Sequence, residues 1–347
     1  SLRWYRRGID LLKDRTSPGA AGMRAQLLAG YGATRAEQGR FREAIEWTRK
    51  AIAEGEQVDE KLALGQAYHA LHWALSELGE TSEKPYAEMA LAVYEELGDL
   101  LGQAMVLNNM GTYAYWKGRW DEARDLYERG KEAREKTGDE VSAADGINNV
   151  AEILSDQGRL VEAEAMFREA LRIWQSVDNH LGMAYAWSNL GRVAYRSGRH
   201  SEAMALLEQA RVEFATLGVR SQLLETDVRI AEALLLQGRW QEALELANRI
   251  DKEASQQVGM LAQGPMLHRL QGLALLQAGN LVNARHELDE SLRQSRARQA
   301  DYDLALTLQA RAALAEREGV PADPDELQEQ LVILARLGVL VPPGPAG

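Results

Sequence analysis

The chain contains no cysteine. That excludes disulfides and thiolate metal sites, and it fits a reducing cytoplasm. Proline is almost as scarce: of eight in all, only Pro85 and Pro265 lie between residues 19 and 320. Both fall near expected helix starts, where a missing N–H matters least. With so little proline and no strand-like alternation, the chain reads as all-α. No apolar run approaches the roughly eighteen residues that cross a bilayer, so no membrane partner is expected. A surplus of positive charge is missing too, since 40 Lys and Arg are interleaved with 52 Asp and Glu for a net charge of −12. A phosphate-binding face needs clustered cations, so nucleic acid is not expected as a partner.

What the chain does have is a repeat. Gly39-Arg40-Phe41-Arg42-Glu43-Ala44 returns as Gly118-Arg119-Trp120-Asp121-Glu122-Ala123, with further copies from Gly158, Gly198 and Gly238. A weaker copy starts at Gly279, and Gly79 and Gly319 keep only the glycine. The glycine spacings are 40, 39, 40, 40, 40, 41 and 40 residues. Each glycine ends one helix, because the residue past a helix C-terminus often takes a positive φ that glycine reaches cheaply. Acidic residues that follow, such as Asp121, Glu122 and Glu162, suit the positive N-terminal end of the next helix. Within it, Ala163, Met166, Phe167, Ala170, Leu171 and Trp174 form one apolar face at helical period.

A second break separates the units, at Leu97-Gly98-Asp99, Thr137-Gly138-Asp139, Val177-Asp178-Asn179 and Leu217-Gly218-Val219. Small residues recur midway along each first helix, at Gly111, Ala151, Gly191, Ala231 and Gly272. Glycine there costs a helix about 1 kcal/mol against alanine, so its recurrence predicts a closely packed neighbour. The alanine opening each second helix is expected to supply the facing surface. Such hairpins stack to bury their faces, which predicts a right-handed α-solenoid of about eight of them.

A small residue in the first helix, glycine at the turn and alanine in the second helix resemble the tetratricopeptide repeat. The period near forty, and not thirty-four, is similar to the longer repeats of kinesin light chains and bacterial signal-transduction ATPases. Asn108-Asn109-Met110-Gly111, Ile147-Asn148-Asn149-Val150-Ala151, Trp187-Ser188-Asn189-Leu190-Gly191 and Leu267-His268-Arg269-Leu270-Gln271-Gly272 resemble the C-terminal repeats of actinobacterial multidomain regulators. Those regulators join a class III adenylate or guanylate cyclase, or a transcription-factor domain, to a STAND-type ATPase. The resemblance implies a bacterial sensor or scaffold arm. No cyclase or ATPase motif is present, so neither activity is carried over.

In that family the first helices line the concave groove. The position about nine residues before each turn glycine holds His69, Asn109, Asn149, Asn189, Arg229 and Leu270. The resemblance implies that Asn109, Asn149 and Asn189 pair with a bound peptide backbone, since a carboxamide both donates and accepts. The alternative is that they bond neighbouring helices and fix the stacking. The same register puts Trp73, Asn108, Tyr115, Trp116, Asn148, Glu152, Arg192 and Arg196 in the groove, with Asp156, Ser188 and Glu232. Trp73 and Trp116 suggest an aromatic patch, or equally core packing. Arg192, Arg196 and Arg229 form either a clamp for a carboxylate or phosphate or a solvated face paired with Glu152 and Glu232. His69 and His72, three apart, lack a third metal ligand. No phosphate loop, nucleophile elbow or metalloprotease helix occurs, so no catalytic residue, cofactor or metal is assigned.

The chain opens on Ser1, and Trp4 to Asp14 reads like the second helix of an incomplete hairpin, so a piece of a longer protein is expected. The expected divisions are residues 1–18 as that helix and a linker, 19–320 as the solenoid, 321–338 as a capping helix and 339–347 as a disordered tail. Lys84 replaces the usual alanine of its unit, which predicts a kink around residues 79–90. The leading expectation is a non-enzymatic module of the cytoplasm that holds a protein or peptide in its concave groove. Self-association and small-molecule sensing stay open as alternatives, as does the oligomeric state.

Overall fold

A computed structural model of the chain describes residues 2–80, 84–254 and 264–340. Among the described residues there are seventeen α-helices and no strand. The first, α1 (Leu2–Leu12), precedes eight pairs: α2 (Pro18–Glu37) with α3 (Phe41–Val58), α4 (Lys61–Glu77) with α5 (Tyr86–Leu97), α6 (Leu100–Trp116) with α7 (Trp120–Lys136), and α8 (Glu140–Asp156) with α9 (Leu160–Ser176). The remaining pairs are α10 (His180–Arg196) with α11 (His200–Leu217), α12 (Arg220–Leu236) with α13 (Trp240–Ala254), α14 (Gly264–Gln277) with α15 (Leu281–Arg298), and α16 (Asp301–Glu318) with α17 (Pro324–Leu337). No described helix is long and apolar enough to cross a membrane.

The glycine grid marks the turns within the pairs. From Gly39 to Gly319, all eight turn glycines have φ between 67° and 82°. At Gly39 the reason is visible: its N–H bonds Ala36 O and the next N–H bonds Arg35 O, closing the helix end from a left-handed residue. The breaks between pairs repeat the geometry at Gly98, Gly138 and Gly218, whereas Asp59, Asp178 and Gln299 take it without being glycine.

Close packing explains the small residues inside first helices. A Cβ on Gly191 would stand 2.7 Å from Leu207 Cγ and 3.3 Å from the carbonyl of Ala203, the alanine that opens α11. Helix α5 has 12 residues where α7 and α9 have 17, in the unit with Lys84 in place of alanine. The kink expected there falls partly on residues 81–83. Of the disordered tail expected over 339–347, residues 341–347 lie outside the described residues, whereas Val339 and Leu340 are ordered, their N–H groups bonding Leu334 O and Gln157 O.

The chain divides into two compact units, Ser1–Tyr113 with Arg129–Asp139, and Ala114–Glu128 with Glu140–Gly347. The first unit centres on Leu28, Leu71, Ala74, Tyr94 and Val106. In the second, one core joins Leu207, Val228, Leu234, Ile250 and Leu267, another surrounds Trp174, and a third holds Leu288 and Leu314. Each core sits where a first helix meets its own second helix and the next hairpin, as expected of stacked repeats.

Candidate functional site

The candidate residues divide between the units. In the first, Asn109 Nδ2 lies 2.7 Å from Nε2 of His69, joining α6 to α4 forty residues away. A neutral imidazole accepts this amide proton; a protonated one has nothing to accept with. Burial, helped by His72, pushes His69 down to about 4, which matches the acceptor role. Trp73 is half-buried, edge-on to Phe41 at 6.4 Å, and its indole N–H donates to Glu77 at 3.2 Å. Asn108, on α6, is half-buried, and its backbone carbonyl accepts from the Thr112 hydroxyl.

The second unit gathers the others on its first helices, in two linked networks. One is a ladder. Arg229 Nη1 on α12 donates to Asn189 Oδ1 at 2.7 Å and to Ser188 Oγ at 2.9 Å. Asn189 Nδ2 on α10 then donates to Asn148 Oδ1 on α8 at 2.9 Å. All three side chains are buried, with Asn189 only 1% exposed. Asn149 accepts a longer bond from Asn148 at 3.4 Å and stays half-exposed. The asparagines at one register therefore do different things, because a neighbouring hairpin is offset by 40 or 41 residues. Asn189 is committed to stacking, while Asn149 reaches the surface.

The other network centres on Asp156, which is 1% exposed at the end of α8. Arg196 Nη1 donates to its Oδ1 at 2.9 Å and to Ser155 O at 3.0 Å, and Arg192 Nη1 reaches the same oxygen at 3.2 Å. The Tyr115 hydroxyl donates to Oδ2. Burial alone would raise this carboxyl, but Arg192 and Arg196 outweigh burial and hold it below its ordinary range. One turn earlier, Glu152 stands 3.9 Å from Arg192 and 3.5 Å from Arg229, which also pairs with Glu225 at 2.7 Å. There burial dominates and pushes Glu152 up, against the two arginines. The arginines do not form the solvated face that was one of their two sequence readings. They are paired with carboxylates, but they are buried, and Arg192 Nε, Arg192 Nη2 and Arg196 Nε find no acceptor.

Trp116, 47% exposed, closes α6 next to Tyr115, whose ring stacks on Trp120 at 6.0 Å. Tyr195, absent from the sequence reading, donates to Glu232 across 37 residues, as Tyr115 does to Asp156 across 41. Both tyrosines stand three residues before a turn glycine, and that shared register was the signal available. Tyr302 was also missed. Its hydroxyl donates to the Asp156 carbonyl at 3.3 Å across 146 residues, with no local pattern to announce it.

A separate recess of about 230 Å³ lies between α15, α16 and α17, beside Arg285, Leu308, Arg311, Ala315, Pro321 and Glu326. None of the candidate residues lines it, and Arg311 is already bridged to Asp289 and Glu326. Among the described residues no three His, Asp or Glu side chains are grouped to hold a metal.

Three stretches of the sequence, residues 103–137, 142–211 and 231–249, match tetratricopeptide-repeat family models. No curated protein sequence matches the chain. Among solved structures, a Rap protein complexed with competence and sporulation factor is 14% identical, covering 97% of each chain at a TM-score of 0.63. The apo form of RapI is 13% identical, with 78% of this chain and 97% of that one covered at a TM-score of 0.63. A Rap conjugation gene regulator of plasmid pLS20, in complex with a peptide, is 15% identical, covering 91% and 85% at a TM-score of 0.58. At such identities the likeness is one of fold, an all-α solenoid of helical hairpins.

Proposed function

We propose that this tetratricopeptide-repeat protein is a non-enzymatic interaction module, and that its second unit holds a peptide or a segment of a partner protein along its first helices. One observation carries the reading: side chains from α6, α8, α10 and α12 are cross-linked into networks that fix their first-helix faces against one another. A face held this way loses little conformational freedom on binding, so more of the contact energy appears as affinity. The bound segment lies in the concave groove. Asn149 pairs with its backbone, Trp116 packs on an apolar side chain, and Glu152, Arg192, Arg196 and Arg229 set the charge it meets. Asn148, Asn189 and Tyr115 act behind them as supports. His69, Trp73, Asn108 and Asn109 belong to the first unit and are not needed for this site.

The Rap structures solved with bound factor or peptide support the reading, since their fold is the same. We place the module as a sensor or scaffold arm of a larger bacterial signalling protein, in line with the actinobacterial resemblance of its Asn-bearing helices. The test is selection of random displayed peptides on the full chain, followed by titration of an enriched peptide against variants. Trp116→Ala and Asn149→Ala should each weaken binding about tenfold, with melting unchanged. Failure to enrich any peptide, or affinities indifferent to both substitutions, overturns the proposal.

A further inference from the structure

The turn glycines are not equivalent. Around Gly39, Gly79, Gly198, Gly238, Gly279 and Gly319, an added Cβ would meet nothing within 4 Å. At Gly118 it would stand 3.0 Å from Asp301 Cβ and 3.4 Å from Leu337, although neither belongs to a neighbouring hairpin. Gly338, which ends α17, is likewise backed by Gln157 Nε2 at 3.2 Å. Within the second unit, the last hairpin therefore returns to the turns at Gly118 and Gly158.

The contacts are few and specific. The Tyr302 ring lies edge-on to Trp120 at 5.0 Å, and its hydroxyl donates to Asp156 O at 3.3 Å. Lys117 Nζ donates to Arg298 O at 2.9 Å. Gln157 Nε2 donates to Leu337 O at 3.0 Å, and Leu340 N–H donates to Gln157 O at 2.9 Å. Within the hairpin α16–α17, Leu304, Leu308, Leu314, Ile333 and Leu334 are buried.

We propose that Trp120, Asp156 and Gln157 form a docking site for a tyrosine-bearing segment, occupied in cis by Tyr302 and opened to a partner that presents the same chemistry. Such a partner carries a tyrosine beside acidic residues, as Asp301-Tyr302-Asp303 does. The ring lies edge-on to Trp120 while the hydroxyl donates to the Asp156 carbonyl. The inference does not depend on the groove reading, because it concerns the turns at Gly118 and Gly158 and an occupant already in place.

The test uses a fluorescent peptide of residues 298–306, added to the full chain and followed by anisotropy. It should bind Tyr302→Ala about tenfold more tightly than the wild type, and a peptide with alanine at the tyrosine should bind neither. No binding to Tyr302→Ala overturns the docking site. Equal binding to wild type overturns occupancy in cis, and binding of the alanine peptide overturns the role of the tyrosine. If circular dichroism shows Tyr302→Ala unfolded, Tyr302→Phe replaces it with the same readout, since it removes only the occupant's hydroxyl bond to Asp156 O and leaves the docking site unaltered.

Discussion

Asn189 accepts a hydrogen bond from Arg229 on its carbonyl oxygen at 2.7 Å and donates one from its own amide to Asn148 at 2.9 Å. One carboxamide thus ties three successive first helices together. Asn189→Ala should cost about 2 kcal/mol of stability, since it takes one acceptor from the buried Arg229 and removes the donor to the buried Asn148 Oδ1. Asn149→Ala, one register position away on a half-exposed side chain, should stay within about 0.5 kcal/mol. Urea unfolding followed by circular dichroism separates the two, and equal losses would contradict the ladder.

Asp156 carries the charge that two buried arginines need. Asp156→Asn keeps the shape and removes the charge, so about 3 kcal/mol of stability should be lost. Tyr115→Phe removes one donor to the same carboxylate and should cost about 1 kcal/mol. Thermal unfolding of the two variants in parallel checks the order.

His69 gives the first unit a pH dependence of defined sign. Its ordinary value is 6.5 and burial lowers it to about 4, so the unfolded chain binds more protons throughout that window. Stability should therefore fall as the pH drops from 6.5 to 4, by up to about 3 kcal/mol from this group. His69→Gln should flatten that slope. An unchanged slope in the variant would assign it to other groups.

Two glycine substitutions of equal size should fail for different reasons. Gly191→Ala pushes a methyl to 2.7 Å from Leu207 in the core, an overpacking that costs about 1–3 kcal/mol. Gly198→Ala meets open space at φ 75° and pays only backbone strain of about 1 kcal/mol. Adding Leu207→Ala should restore part of the first loss and none of the second, read as a double-mutant cycle.

The absence of cysteine makes the return of the last hairpin directly testable. Leu340 N lies 2.9 Å from Gln157 O, a backbone approach suited to the roughly 4.4–6.8 Å Cα separation of a disulfide. Gln157→Cys combined with Leu340→Cys should close on mild oxidation, giving one intramolecular bridge by mass spectrometry. Two free thiols after oxidation would show that the hairpin stays away from that turn.

The hairpins were legible because each turn needs a positive φ that glycine supplies cheaply, at an interval the eye can follow from Gly39 to Gly319. The close approach at Gly191 was legible too, as a costly residue in a helix with no other excuse. The asparagine register was visible, but not which amide faces a neighbour. Asn148 and Asn149 differ by one step of about 100° around α8, and only packing decides which is buried. The buried pairing of Arg192 and Arg196 with Asp156 had to await the third dimension. So did Tyr302, since no periodicity links residues 146 positions apart.

The turn at Gly198 opens on empty space, whereas the turn at Gly118, with the same glycine-arginine start, is backed by Asp301 and Leu337. A reporter domain or affinity tag spliced in at residue 198 would hang clear of the molecule and leave the stack intact. The same graft at residue 118 would have to push aside Asp301 and Leu337. Copies of one motif are thus unequal as places to lengthen this protein, and evolution or an engineer adding a loop would find only some of them permissive.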